Sequence, residues 1–138
     1  MLLEFSFANF LSFKDKVTFS MVATSLKDRK ADSADTTFSA GGEVSVVLSR
    51  ACAVFGANAS GKSNLIKAMA FFKWFVMNSS KDVQAGEKIP VHSFALSASS
   101  VKEPSLFEIV ILIGEDNYRY GFEASAEKVH REWLYVKA

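Results

Sequence analysis

The stretch Gly56-Ala57-Asn58-Ala59-Ser60-Gly61-Lys62-Ser63 constrains this chain more than any other, because it fills every fixed position of the pattern G-x-x-x-x-G-K-[ST]. Its flanks are the ones the pattern needs. Ala51-Cys52-Ala53-Val54-Phe55 before it is apolar throughout, like a strand covered on both faces, and Lys62 to about Met77 after it has helical periodicity. Strand, glycine loop and helix in that order make a cradle for a phosphate chain. Gly56 and Gly61 admit torsions and close approaches that a Cβ forbids, so successive N–H groups can turn toward an anion. The helix adds the positive end of its dipole at the same place.

From that mechanism follow the expected roles. Lys62 reaches the β- and γ-phosphates and is the catalytic candidate, while the Ser63 hydroxyl ligates Mg²⁺; the cofactors expected are ATP and Mg²⁺. Gly56, Ala57, Asn58, Ala59, Ser60, Gly61, Lys62, Ser63 and Asn64 form the expected nucleotide-contacting set. A glycine turn capping an ordinary helix is the plain alternative. Agreement of the octet with both flanks weighs against it.

Elsewhere the pattern is mostly strand-like. Leu3, Phe5 and Phe7 alternate with Glu4 and Ser6, and Val17 and Phe19 resume the period after the polar turn Lys14-Asp15-Lys16, which predicts a hairpin. Residues 27–42 are polar and small and read as a mobile loop. A strand is expected over Val44–Phe55. The helix that follows should bury a stripe of Leu65, Met69, Phe72 and Val76, with Ile66 and Ala70 beside it, and end at Asn78-Ser79-Ser80. Residues 81–105, with both prolines, read as a loop with one short extended piece. Leu106–Ile113, a turn at Gly114-Glu115-Asp116-Asn117 and the alternating Tyr118, Tyr120 and Phe122 predict a second hairpin, and a last strand is expected over Arg131–Val136.

Hydrolysis asks for more than the loop. A carboxylate at the end of a second apolar strand must help hold the Mg²⁺ shell. Ile109-Val110-Ile111-Leu112-Ile113-Gly114-Glu115-Asp116 has that outline, but Gly114 and the alternation after it favour a solvent-facing turn. Glu115 and Asp116 are therefore not assigned to catalysis.

Composition limits the partners. Sixteen basic against fifteen acidic residues give a net charge of +1, which provides no overall pull toward nucleic acid or an anionic membrane. Lys14, Lys16, Lys27, Arg29 and Lys30 are interleaved with Asp15, Asp28, Asp32 and Asp35, so a solvated mixed-charge surface is the better reading there. Thirteen Phe help one domain of 138 residues to close a core. The lone Cys52 reads as a small buried hydrophobe in a reducing compartment. No apolar run approaches the roughly eighteen residues of a membrane span, and Met1-Leu2-Leu3-Glu4 does not open like a signal peptide, so a cytoplasmic location is expected. His92 and His130 lack ligand-spaced partners and read as ordinary histidines; Gln84 reads as a loop residue. Phe71, Phe72, Trp74 and Phe75 cover more of the helix than one stripe requires, as in a docking face or a helix buried between a parallel and an antiparallel sheet. Burial is favoured.

Gly56-Ala57-Asn58-Ala59-Ser60-Gly61-Lys62-Ser63-Asn64-Leu65, preceded by Phe7-Ala8-Asn9-Phe10-Leu11-Ser12-Phe13, resembles ABC-type ATPases of the SMC, RecF and OLD group. In that group an I-x-N-F-x-S-F segment precedes a Walker A motif of the form G-x-N-[AG]-[AS]-G-K-[ST], which Asn58 fits. The whole chain, through Pro90–Leu96, Tyr118–Phe122 and Glu132–Tyr135, looks like the N-terminal lobe of the prokaryotic "AAA family ATPase/ATP-binding protein" branch. Leu11 departs from the pattern where many relatives place Arg or Lys near the nucleotide; Ser12 and Phe13 can still flank the base or ribose.

The resemblance implies an α/β P-loop NTPase fold: an ABC-ATPase-like N-terminal lobe with an antiparallel β subdomain and a central strand–P-loop–helix unit, here a single ATP-binding domain over residues 1–138. The signature helix, the Walker B strand and its glutamate belong to a C-terminal half in such enzymes, and no segment here matches them, so the chain looks like a fragment of an ATPase. Relatives sandwich two ATP molecules in a homodimer. Hydrolysis is then composite, and the isolated lobe should bind better than it hydrolyses; DNA or RNA handling in phage defence is the setting the resemblance implies. Two rivals remain open: a catalytically silent nucleotide-binding interaction module, and a small P-loop kinase, which would need an arginine-rich lid from Arg29, Arg50, Arg119 and Arg131.

Overall fold

The computed structural model describes residues 1–24, 36–40, 45–78 and 88–137. Among these described residues, seven strands and one long helix follow in the order β1 (Leu2–Ala8), β2 (Val17–Ser20), β3 (Thr37–Ala40), β4 (Val46–Ser49), α1 (Lys62–Asn78), β5 (Ser105–Ile113), β6 (Asp116–Ala124) and β7 (Val129–Lys137), with a 3₁₀ turn at Ser100–Lys102. Five strands form one antiparallel sheet in the order β2-β1-β5-β6-β7, and β3 and β4 form a separate antiparallel pair. Both expected hairpins are present. Phe5 lies opposite Phe19 across β1 and β2, and Ile109 lies opposite Tyr120 across β5 and β6. The β5–β6 turn needs only two residues, because Gly114 holds a φ of +65, the sign a II′ turn requires at its first central position. Glu115 belongs to that turn and Asp116 already opens β6.

Period-two alternation sends the apolar residues of the sheet to two opposite faces. One face carries Phe5, Phe7, Phe107 and Phe122, and α1 lies across it with Leu65, Ala68, Phe71, Phe72 and Phe75 buried. The rings pack closely: Phe75 stacks on Phe122 at 3.9 Å between centroids, and Phe71 meets Phe107 at 4.9 Å. Each such phenylalanine contributes about 2 kcal/mol or more of burial. The buried face differs from the expected stripe: Leu65 and Phe72 are on it, Met69 only borders it, and Val76, Ile66 and Ala70 are exposed. Burial follows the aromatics at 71, 72 and 75, because these reach the ring layer of the sheet. The sheet covering α1 is antiparallel, and Trp74 is half-buried at the edge of the cluster.

The other face holds a smaller cluster of Leu3, Leu48 and Leu112, with Phe38, Ala40, Val46 and Val110 around it. Leu3 was expected beside Phe5 and Phe7. A register shift between Leu2 and Glu4 in the β1–β5 pairing breaks the alternation there, so Leu2 packs with the phenylalanines and Leu3 with β3 and β4. Strand β3 corrects the expected 27–42 loop, since Thr37-Phe38-Ser39-Ala40 pairs with Val46–Ser49. The other positions of that loop, 27–35 and 41–42, lie outside the described residues, as do Ser79, Ser80 and Gln84.

Further along this second face, Glu108 is buried and takes two hydrogen bonds from Arg119 (2.8 and 2.9 Å), one from Lys16 (3.3 Å) and one from the Trp133 indole (3.1 Å). Burial pushes its carboxyl up, but the Arg119 hydrogen bonds and the charges of Lys16 and Arg119 outweigh that and hold it below the usual carboxylate range. Gly121 makes room for the indole: a Cβ there would lie 2.5 Å from Trp133 Cζ2.

The strand expected over 44–55 stops at Ser49. Residues Ala51–Phe55 have no regular structure and are exposed, Phe55 at 90%. An apolar run becomes a strand only where neighbours offer hydrogen bonds along its edges, and among the described residues none pairs with this one. Cys52 is exposed with it, against the expectation of burial.

Candidate functional site

The octet forms a compact loop whose last two residues, Lys62 and Ser63, already belong to α1. Two residues accept left-handed torsions to make the turn, Ala59 at φ +62 and Gly61 at φ +90. Alanine bears that conformation at a cost of about 1 kcal/mol; glycine bears it freely. The two glycines of the pattern also sit in close quarters, Gly61 more strictly because its φ is positive as well. A Cβ on Gly56 would lie 2.6 Å from Ser60 Oγ, and one on Gly61 would lie 2.9 Å from both Phe13 Cζ and Ser12 Oγ.

Lys62 folds back into the loop, its ammonium donating to Gly56 O (2.7 Å), Ala57 O (2.6 Å) and, more loosely, Ser60 Oγ (3.4 Å). That places one positive charge inside the curve of the backbone. Ser60 N closes a turn on Ala57 O (3.2 Å), while Asn64 N and Leu65 N both donate to Gly61 O (2.8 and 3.2 Å). The N–H groups of Lys62 and Ser63 stand ahead of any intrahelical acceptor. The first turn of α1 contains no acidic residue to neutralise its positive end. Asn58 to Asn64 line an open hollow of about 440 Å³ that contains no carboxylate, and the exposed Ser63 hydroxyl stands at its rim.

Of the expected nucleotide-contacting residues, Asn58 to Asn64 line this one hollow, and Gly56 and Ala57 lie outside its walls. Gly56 and Ala57 are linked to it through Lys62, whose ammonium their carbonyls accept. Ser12 and Phe13, expected to flank a ligand, touch the loop directly at Gly61, and Asn64 Nδ2 donates to Ser12 Oγ at 2.8 Å. His92 lies near the start of α1, whereas His130 is exposed on β7. Three arginines have partners elsewhere: Arg119 on Glu108, Arg131 near Glu123 at 3.7 Å, and Arg50 over the Phe38 ring at 5.3 Å. Arg29, Lys27 and Lys30 lie outside the described residues.

Sequence reasoning quoted Asn9 within the Phe7–Phe13 segment but gave it no role, and the structure makes it a hub. Buried and at φ +51, it donates from Nδ2 to Ser100 O (2.7 Å) and Glu103 O (2.8 Å) and accepts from Phe94 N (3.0 Å) at Oδ1, while its own carbonyl accepts from Ser105 Oγ. It pins the segment 94–105 to the turn that carries Ser12 and Phe13. An amide between Phe7 and Phe10, in a stretch otherwise headed for the core, is the signal that could have marked it.

Residues 52–138 match a family model described as "AAA domain, putative AbiEii toxin, Type IV TA system". No curated protein and no solved structure matches the chain.

Proposed function

The chain belongs to this AAA-domain family, a family of nucleotide-binding, ATPase-type P-loop domains, and from that premise we propose that Gly56–Ser63 binds the triphosphate of ATP with Mg²⁺. The observation that carries the proposal is the Lys62 ammonium held inside a glycine loop at the start of a helix whose first turn has no acidic residue. The fit rests on backbone form as well as charge, since Gly61 holds a positive φ against Phe13 and Ser12, where a side chain would be strained. Lys62 would exchange its two carbonyl partners for phosphate oxygens, and the amides of Lys62 and Ser63 would donate to the same group. Ser63 Oγ would hold Mg²⁺, which when bound neutralises charge on the β and γ oxygens.

Hydrolysis we assign to a composite site. The lining of the hollow supplies a cation, amides and a hydroxyl but no carboxylate to complete a metal shell or orient water. An SMC- or RecF-like arrangement would provide these from a C-terminal lobe and a second subunit across shared ATP, with toxin–antitoxin or phage-defence activity, acting on DNA or RNA, as the setting. The missing carboxylate also favours a second reading, a module whose bound ATP only orders a partner surface. A kinase is disfavoured, because Arg50, Arg119 and Arg131 are engaged away from the loop.

Thermal unfolding with and without ATP and Mg²⁺ tests binding. Lys62→Ala should abolish the protection that ligand gives, a loss of about a hundredfold in affinity, and retained protection would reject the reading. Ser63→Ala should chiefly remove the Mg²⁺-dependent part, about tenfold; an unchanged magnesium titration would remove Ser63 from the metal. Phosphate release by the chain alone, and again with a separately supplied C-terminal half, separates a composite ATPase from a silent module.

A further inference from the structure

The five-stranded sheet ends on β7, and among the described residues no strand pairs with its outer side. We propose that this edge takes an extended acidic peptide of a partner protein as a further, antiparallel strand. The proposal goes beyond the phosphate reading of the loop and does not depend on it.

An edge strand presents a row of N–H and C=O groups without partners, which a second backbone satisfies best. Native edges are usually kept short or interrupted by proline or a bulge. β7 runs for nine residues without proline, and the irregularity in its pairing, at Glu123/Ala124 of β6, falls before Arg131. Residues 131–137 are thus an unbroken template. Leu134 and Val136 are exposed on the side of α1 and Tyr135 on the other, so a strand laid alongside would cover apolar area on both faces.

Charge selects the occupant. On the face away from α1 the acids are sunk and their cations stand out. The Glu108 side chain is 9% exposed against 53% for Arg119 and 48% for Lys16, and Glu123 is 24% exposed against 76% for Arg131. Lys137, exposed on the same face, is in no ion pair among the described residues. Glu4 shares this face but lies three strands away on β1. Along β7 a cation therefore stands at each end of two rings, in the order Arg131, Trp133, Tyr135, Lys137. The best complement is a strand with carboxylates opposite Arg131 and Lys137 and β-branched residues between them. A second copy fits poorly, because two β7 strands laid antiparallel over 131–137 would set each Arg131 opposite a Lys137. A nucleic-acid strand would use the charge and leave the edge amides unpaired.

The probe is the end-blocked peptide Glu-Val-Thr-Val-Thr-Thr-Glu, titrated into the full chain with amide hydrogen exchange read along β7. The alternate β7 amides that face away from β6 should exchange readily in the free chain and slow about tenfold or more with peptide bound. Lysine in place of both glutamates should weaken binding about tenfold, and the paired change Arg131→Glu and Lys137→Glu should reverse that preference. Both positions are exposed, so the paired variant should keep its fold, and the exchange result on the unaltered chain stands without it. No binding at millimolar peptide, binding without slowed exchange in β7, or equal binding of the two peptides would overturn the proposal. So would outward amides already protected in a chain that sediments as a dimer, which would give the edge to a second copy. Oligothymidylate binding that the peptide cannot displace would give the face to nucleic acid and overturn it as well.

Discussion

Two stretches of similar apolar character meet at the P-loop and behave in opposite ways. Phe71, Phe72 and Phe75 on α1 sink into a ring layer completed by Phe5, Phe7, Phe107 and Phe122, whereas Ala51–Phe55, just upstream, lies in the open. The contrast separates what holds the domain together from what gives it chemistry. Side chains that meet the ring face of the antiparallel sheet are buried, although its strands come from segments distant in sequence. The run before the loop finds no strand to pair with among the described residues, and only the glycine loop beyond it, fixed by Lys62 and by the Gly61–Phe13 contact, is set in place.

Substitutions can break or sharpen that contrast. The largest effect is expected at Phe122, fully buried between Phe75 and Phe107: Phe122→Ala should cost about 4 kcal/mol in chemical denaturation, and a loss near 1 kcal/mol would deny the ring layer its role. Glu108→Gln should cost about 2 kcal/mol at neutral pH, since Arg119, Lys16 and Trp133 lose a charged acceptor. Because the Glu108 carboxyl titrates lower when folded than when unfolded, its contribution is present above the ordinary carboxylate range and fades as pH falls through the folded value. Unfolding curves from pH 7 down to about pH 3 should thus converge for the two proteins. Parallel curves would show that Glu108 is not the acid-sensitive group. Phe55→Ser should change stability by less than about 0.5 kcal/mol despite removing an aromatic ring, and a larger loss would mean that this stretch is covered in solution.

Much of the site was legible because its grammar is local. Two glycines, a lysine and a serine at fixed spacing demand one backbone curve, and the helix after them announces itself by periodicity. The β5–β6 hairpin was equally local, down to Gly114. What escaped depended on partners distant in sequence. Whether Ala51–Phe55 becomes a strand is decided by neighbours; which side of α1 is buried was decided by the rings it meets, so Phe71 and Phe75 displaced Met69 and Val76. Asn9 reads as one more polar residue until Phe94, Ser100 and Glu103 are brought to it from some ninety positions away. The short strand Thr37–Ala40 gave too few residues for a period to show.

The register shift near the start of β1 bears on how the molecule melts. One strand gives Phe5 and Phe7 to the layer beneath the helix and Leu3 to the layer beneath β3 and β4, so neither half can release it without unseating the other. Heat or urea should therefore take both clusters apart in a single cooperative step, as though a shared hinge pin had been drawn.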